Sequence, residues 1–154
     1  MIQMNVMIGF VSMSGNTEDI VHLLQSELEQ KGCIVHIQEL DRLYPSDFSQ
    51  YDAVLLGSYT WGDGDLPYEA EDFLEDLADS DLNGLAAASF GSGDRDYPKY
   101  CAAVDLLEQT LRSAGATITA PGLKIEFDPD TPEKQTACRL FAEDFFERAQ
   151  RLYA

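Results

Sequence analysis

The 154-residue sequence is short of the residues that most often staple a fold or hold a metal: three Cys, two His and one Trp. Cys33, Cys101 and Cys138 are odd in number and form no C-x-x-C pair. Neither a disulfide frame nor a tetrahedral metal site is therefore indicated, and reduced thiols point to the cytoplasm. No apolar run approaches the ~20 residues that span a bilayer. The start, M-I-Q-M-N, lacks the basic flank of a secretory signal. Positive charge is the scarcest commodity. Ten Lys and Arg face twenty-eight Asp and Glu, giving a formal charge of -18. Nucleic acid and anionic membranes are poor partners for such a surface. A basic protein is an attractive one, because opposite fields speed encounter. The plainer alternative is that the acid confers solubility.

What is present is a regular alternation. Val6 to Val11 reads as a strand. Ile20, Leu23, Leu24 and Leu28 recur at helical spacing from Thr17 to Lys31, and Gly32 follows as a stop. Ile34 to Leu40 reads as a second strand. Ala53 to Ser58 is a continuous run, the mark of a strand covered on both faces. Tyr68 to Ala78 reads as an acidic helix and Leu85 to Phe90 as a small-residue strand. Ala102 to Ala114 is helical, Thr117 to Phe127 is a last strand interrupted at Pro121-Gly122, and Pro132 opens a final helix. Strands alternating with helices predict an α/β fold over one domain, residues 1–154. Its core would be an open, doubly wound parallel sheet of five strands with helices on both faces. Ligands of such sheets sit beyond the carboxyl ends of the strands, which singles out the loops after strands one, three and four.

The first loop is Ser12-Met13-Ser14-Gly15-Asn16-Thr17. It joins a strand to a helix, whose first backbone N–H groups have no internal partner and favour an anion. Four of its six side chains add a hydroxyl or amide, although a simple helix cap uses the same residue types. The second loop, Ser58 to Pro67, holds the sole Trp, Trp61, among Tyr59, Thr60, Gly62, Asp63, Gly64 and Asp65. A Trp in a glycine-rich loop has little to bury against unless something flat lies beside it. The third loop runs from Phe90 to Cys101 and sets Tyr97 and Tyr100 among Ser92, Gly93, Asp94 and Asp96. An anion cradle and two aromatic loops describe a site for a planar ring with a phosphate tail. Cys101 either lines that site or is a small buried residue. Tyr100 either touches the ligand or supports the loop. His22 and His36 fall outside the three loops and read as structural or surface residues.

The strings S-x-S-G-N-T-E, T-W-G-D-G and G-S-G-D-x-x-Y-x-x-Y-C resemble those of the flavodoxins, small FMN-binding electron carriers. The run Y-T-W-G-D-G-D-L-P-Y-E-A-E-D-F is similar to short-chain members of the Bacillus type. The strand order 2-1-3-4-5 and an FMN at the switch point are properties known for flavodoxins, not readings of these residues. The resemblance implies that Ser12, Met13, Ser14, Gly15, Asn16 and Thr17 hold the FMN phosphate. It implies Trp61 on the inner face of the ring and Tyr97 on the outer. Backbone groups of Thr60, Gly62, Ser92, Gly93 and Asp94, and the segment through Tyr100 to Cys101, would meet the ring edges, with Tyr59 beside them. The Gly62-Asp63 peptide would turn its carbonyl toward flavin N5 on reduction. No residue is catalytic and no metal is implied. Gly9 and Val21 depart from the family pattern, at packing positions.

Acidic residues around the ring and its burial between aromatics would disfavour the extra negative charge of reduced FMN. A low potential and one-electron shuttling between semiquinone and hydroquinone follow as expectations. The resemblance implies a flavodoxin/ferredoxin–NADP⁺ reductase as donor. It implies a cytochrome P450, a desaturase or nitrogenase as acceptor, and a monomeric carrier. Two alternatives share the fold: an FMN-dependent NAD(P)H reductase, and an adaptor module that has lost its flavin. A phosphorelay receiver fails because its acids are replaced by Val11-Ser12 and Ser58-Tyr59. A P-loop nucleotidase fails because G-x-x-x-x-G-K-[ST] is absent. A low-molecular-weight tyrosine phosphatase needs a Cys and an Arg around the first loop, where Ser12 and Thr17 stand.

Overall fold

The computed structural model describes residues 3–61 and 64–153. Gly62 and Asp63, both assigned to the site above, lie outside the described residues. The alternation in the sequence becomes β1 (Asn5–Val11), α1 (Asn16–Gln30), β2 (Ile34–Glu39), β3 (Ala53–Ser58), α2 (Glu71–Ala78), β4 (Ala86–Gly93), α3 (Ala102–Ser113), β5 (Thr117–Ile118), β6 (Leu123–Glu126) and α4 (Pro132–Leu152). The sheet order is β2-β1-β3-β4-β5, with β6 also paired to β4, and every named pairing is parallel. The order expected from the resemblance is the one found.

β5 and β6 are the two halves of the interrupted last strand. Five positions separate Ile118 from Leu123, but only three separate their partners Ala87 and Phe90. The surplus bulges out at Ala120-Pro121-Gly122, where Pro121 has no N–H for a ladder. Glu108 accepts a hydrogen bond from the Gly122 N–H at 3.0 Å and closes the gap. The expected helix from Tyr68 begins as a 3-10 turn, Tyr68–Ala70, and becomes α-helical at Glu71. Two further 3-10 turns, Leu40–Arg42 and Pro45–Gln50, link β2 to β3.

Side chains alternate across the sheet and build two cores. Val6, Ile8, Phe10, Leu55 and Phe90 face α1 and α4, meeting Ile20, Leu24, Leu28, Phe141 and Phe145. Met7, Val54 and Leu56 face α2 and α3, meeting Phe73, Leu77, Leu107 and Leu111. β3 is buried along its whole length, as its unbroken apolar run requires. Gly57 in β3 is there for space: a Cβ would lie 2.1 Å from the Phe90 ring. Gly9 is explained the same way. Leu43 and Leu40 occupy the volume that a larger residue would take, at 2.5 and 2.9 Å from a Cβ built there. Val21 is fully buried in the α1–α4 core. His36 packs edge-on against Tyr51 with ring centroids 5.4 Å apart, and His22 is exposed beside Glu18.

Candidate functional site

All strands run the same way, so the loops after β1, β3 and β4 gather at one edge of the sheet. Two hydroxyl hydrogen bonds knit them. Thr17 Oγ1 and Ser92 Oγ lie 2.8 Å apart and buried, joining the start of α1 to the end of β4. Thr60 Oγ1 accepts from the Ala103 N–H at 3.0 Å, joining the β3 loop to the start of α3.

In the first loop, Gly15 takes a left-handed backbone (φ 90°) immediately before α1, and no side chain caps the helix. The Gly15 N–H donates to Ser12 Oγ at 3.1 Å, which curls the loop. The first-turn amides of α1 are thus left to an external acceptor. Ser14 and Met13 are exposed, whereas Thr17 is buried by its bond to Ser92. A capped helix would have used one of these side chains, so the uncapped start favours the anion cradle over the cap.

In the second loop, Trp61 and Asp65 exchange two backbone hydrogen bonds, Trp61 N to Asp65 O at 2.8 Å and Asp65 N to Trp61 O at 3.0 Å. This closes the base of a short hairpin. Trp61 remains 53% exposed at its edge. Gly64 (φ 100°) rests on the aliphatic stem of Lys99, where a Cβ would come within 2.6 Å. Burial, and then Glu69, push the Tyr59 phenol above its ordinary value.

The third loop is held by Asp94, whose carboxylate accepts from the Asp96 N–H at 2.9 Å and whose carbonyl accepts from the Tyr97 N–H. Arg95 pairs with Glu126 at 3.8 Å and lies 4.8 Å over the Tyr100 ring. Tyr97 is 64% exposed. The Tyr100 hydroxyl is buried with no hydrogen-bond partner among the described residues. Burial and the adjacent Cys101 raise its pKa. Cys101 is fully buried, and desolvation pushes its thiol up to about 11. A thiol so held is no nucleophile at neutral pH; it forms floor.

These loops surround a cleft of about 340 Å³, lined by Met13, Asn16, Tyr59, Thr60, Trp61, Ser92, Gly93, Asp94, Tyr97, Tyr100 and Cys101, with Lys99 and Phe127. Ser12 instead faces a neighbouring groove with Glu39, Asp41 and Glu69. Lys99 and Phe127 escaped the sequence reading. Phe127 directly follows the last strand at the same sheet edge, which is the signal that could have marked it. A larger hollow of about 450 Å³ opens between Phe48, Leu82 and Tyr153. The switch-point cleft is the better candidate because there two exposed aromatics, Trp61 and Tyr97, flank a pocket beside the uncapped start of α1. FMN fits that combination: a flat ring has two half-exposed rings to cover, and a phosphate has free amides to meet. Among the described residues no three His, Cys, Asp or Glu side chains group as metal ligands, and no helix is long and apolar enough to cross a membrane.

Comparison with known proteins agrees with the geometry. The family profile described as Flavodoxin matches residues 8–141. The chain is 48% identical to the probable flavodoxin 1 of Bacillus subtilis (strain 168) over 139 residues, 90% of this chain and 88% of that protein. It is 34% identical to a flavodoxin of Maridesulfovibrio salexigens over 82% of this chain and 89% of that one. The crystal structure of oxidised flavodoxin 2 from Bacillus cereus superposes with a TM-score of 0.91 at 44% identity, covering 94% of this chain and 99% of that one.

Proposed function

Because the chain belongs to the flavodoxin family, FMN-binding electron-transfer proteins, we propose that it is a low-potential, one-electron carrier that serves basic-surfaced redox partners. The observation that carries this reading is the pair of half-exposed aromatics, Trp61 and Tyr97, flanking one cleft beside the uncapped start of α1. Bound FMN would supply the one-electron chemistry, cycling between semiquinone and hydroquinone. The chain's own residues do the rest. The α1 amides and the side chains of Ser14 and Asn16 would hold the phosphate, with Ser12, Met13, Gly15 and Thr17 shaping the cradle. Trp61 and Tyr97 cover the two ring faces and exclude water. Backbone groups of Thr60, Gly62, Ser92, Gly93 and Asp94, and of Tyr100 to Cys101, bind the ring edges, beside Tyr59. The resemblance would have the Gly62-Asp63 peptide present its carbonyl to flavin N5.

Asp65, Asp94 and Asp96 lie on the loops around the cleft, and the chain as a whole carries -18. This field raises the energy of any added negative charge, and desolvation between two rings adds to it. Both effects support a low potential. Arg95 on the same loop works against it, but Glu126 pairs with it at 3.8 Å.

A hollow beside the cleft is bordered by Glu39, Asp41 and Glu69, and it leads to a second along α2 bordered by Asp72, Glu75 and Asp76. A basic reductase as donor and a basic acceptor suit this surface. Their contacts would be brief and small, below about 1,200 Å² in total. The buried, unpaired thiols Cys33, Cys101 and Cys138 support a reducing compartment, the cytoplasm.

The test is to mix the FMN-loaded protein with NADPH alone under anaerobic conditions. The carrier reading expects no bleaching until a catalytic amount of a flavodoxin/ferredoxin–NADP⁺ reductase is added. Rapid bleaching by NADPH alone would make the protein an FMN-dependent reductase instead.

A further inference from the structure

The start of α3 is capped from outside its own loop. Its N-cap residue, Cys101, has a left-handed backbone (φ 51°) and makes no side-chain cap bond. The Cys101 thiol points instead toward the carbonyls of Gly91 and Ile125, each 4.0 Å away. The acceptor that α3 lacks is supplied by Thr60, 43 residues away in sequence, whose Oγ1 takes the Ala103 N–H at 3.0 Å. Thr60 is the residue before Trp61, and α3 begins directly after the loop that carries Tyr97. One hydroxyl therefore couples the two segments that bear the cleft's exposed rings. Its place in the chain matters. Thr60 stands just outside the Trp61–Asp65 double bond pair, so it anchors the base of the hairpin as a unit.

From this we infer that Thr60 is a positioning residue: its side chain, by capping α3, sets the spacing between Trp61 and Tyr97 and so the width of the slot for a planar ring. The assignment goes beyond the backbone role already given to Thr60. It rests on the FMN reading for its consequence but not for its geometry, because the bond is made by the protein alone. The bond needs a side-chain acceptor oxygen at this position. A valine has the same shape and cannot accept the N–H, whereas a serine can.

The experiment compares wild type, Thr60→Val and Thr60→Ser. Trp61 is the sole Trp, so its fluorescence anisotropy and acrylamide quenching in ligand-free protein report the hairpin directly. Thr60→Val should lower the anisotropy and increase the quenching, and Thr60→Ser should restore both. On titration with FMN and with riboflavin, Thr60→Val should weaken both ligands by about tenfold. Equal loss is expected because the ring side of the site is loosened and the phosphate side is not. The visible circular dichroism of the bound flavin should change in Thr60→Val and recover in Thr60→Ser. Chemical denaturation of all three separates this from a general loss of fold. The inference is overturned if Thr60→Val lowers the denaturation midpoint yet leaves Trp61 quenching and the flavin dichroism as in wild type. Wild type that binds no FMN would instead overturn the FMN reading, while the ligand-free Trp61 data would still judge Thr60.

Discussion

Removing the Ser14 hydroxyl isolates the phosphate end of the site. Ser14 is exposed, sits between the end of β1 and the uncapped start of α1, and lies outside both core clusters. Ser14→Ala should therefore leave stability within about 0.5 kcal/mol of wild type. It deletes one donor to a charged acceptor, which is worth about 1.5 kcal/mol or a little more. The backbone amides and the helix dipole remain, so the loss should stop near one bond. FMN affinity should fall about tenfold, at 1.4 kcal/mol per decade. Riboflavin, which has the ring but no phosphate, should bind Ser14→Ala and wild type alike. The assay is quenching of ligand fluorescence on titration with ligand-free protein. Salt adds a second arm. The phosphate dianion approaches a chain of formal charge -18, so screening should strengthen FMN binding between low and physiological ionic strength. Equal weakening of FMN and riboflavin by Ser14→Ala would refute the cradle.

Other outcomes follow from the same structure. Trp61→Ala should weaken FMN and riboflavin together by about 1–3 kcal/mol, the worth of one aromatic stack, measured by the same titration. Gly57→Ala should destabilise the fold by about 1–3 kcal/mol or more, because its Cβ falls on the Phe90 ring. Denaturant midpoints should show part of that loss recovered in the double variant with Phe90→Leu. Burial raises the thiols of Cys33, Cys101 and Cys138 to about 11 each, above an unfolded value near 8.5. Their stabilisation is therefore whole below about pH 8.5 and is lost as pH climbs from there through about 11. Unfolding monitored from pH 8 to 11 should show this decline, and Cys138→Ala should make it shallower. Charge reversal of Glu69, Asp72 and Glu75 should slow association with a basic reductase and flatten its fall with salt. An unchanged rate by stopped flow would contradict the docking surface.

Much of this was readable in the residues because long periodic segments leave few options. The unbroken run at Ala53 to Ser58 became β3 without adjustment. The Pro121-Gly122 interruption became the break between β5 and β6. The loops after the first, third and fourth strands proved to share one edge, since a parallel sheet leaves them no other place. What escaped was either too short to show a period or too far apart in sequence to be seen. The turns Leu40–Arg42 and Pro45–Gln50 have three and six residues, less than two helical turns. Gly9 departed from the family pattern, yet Leu40 from the first of those turns and Leu43 just after it fill its place. The bonds Thr17–Ser92 and Thr60–Ala103 join residues 75 and 43 apart. Nothing local in either partner announces them. Lys99 was seen only as part of its loop, although its stem supports Gly64.

The most direct test is the visible spectrum of the FMN-loaded protein during stepwise anaerobic reduction. The account predicts a yellow protein that passes through a stable, long-wavelength neutral radical before bleaching, with the second electron entering at a markedly lower potential than the first. Reduction in a single two-electron step, with no radical band, would contradict the one-electron carrier at its centre.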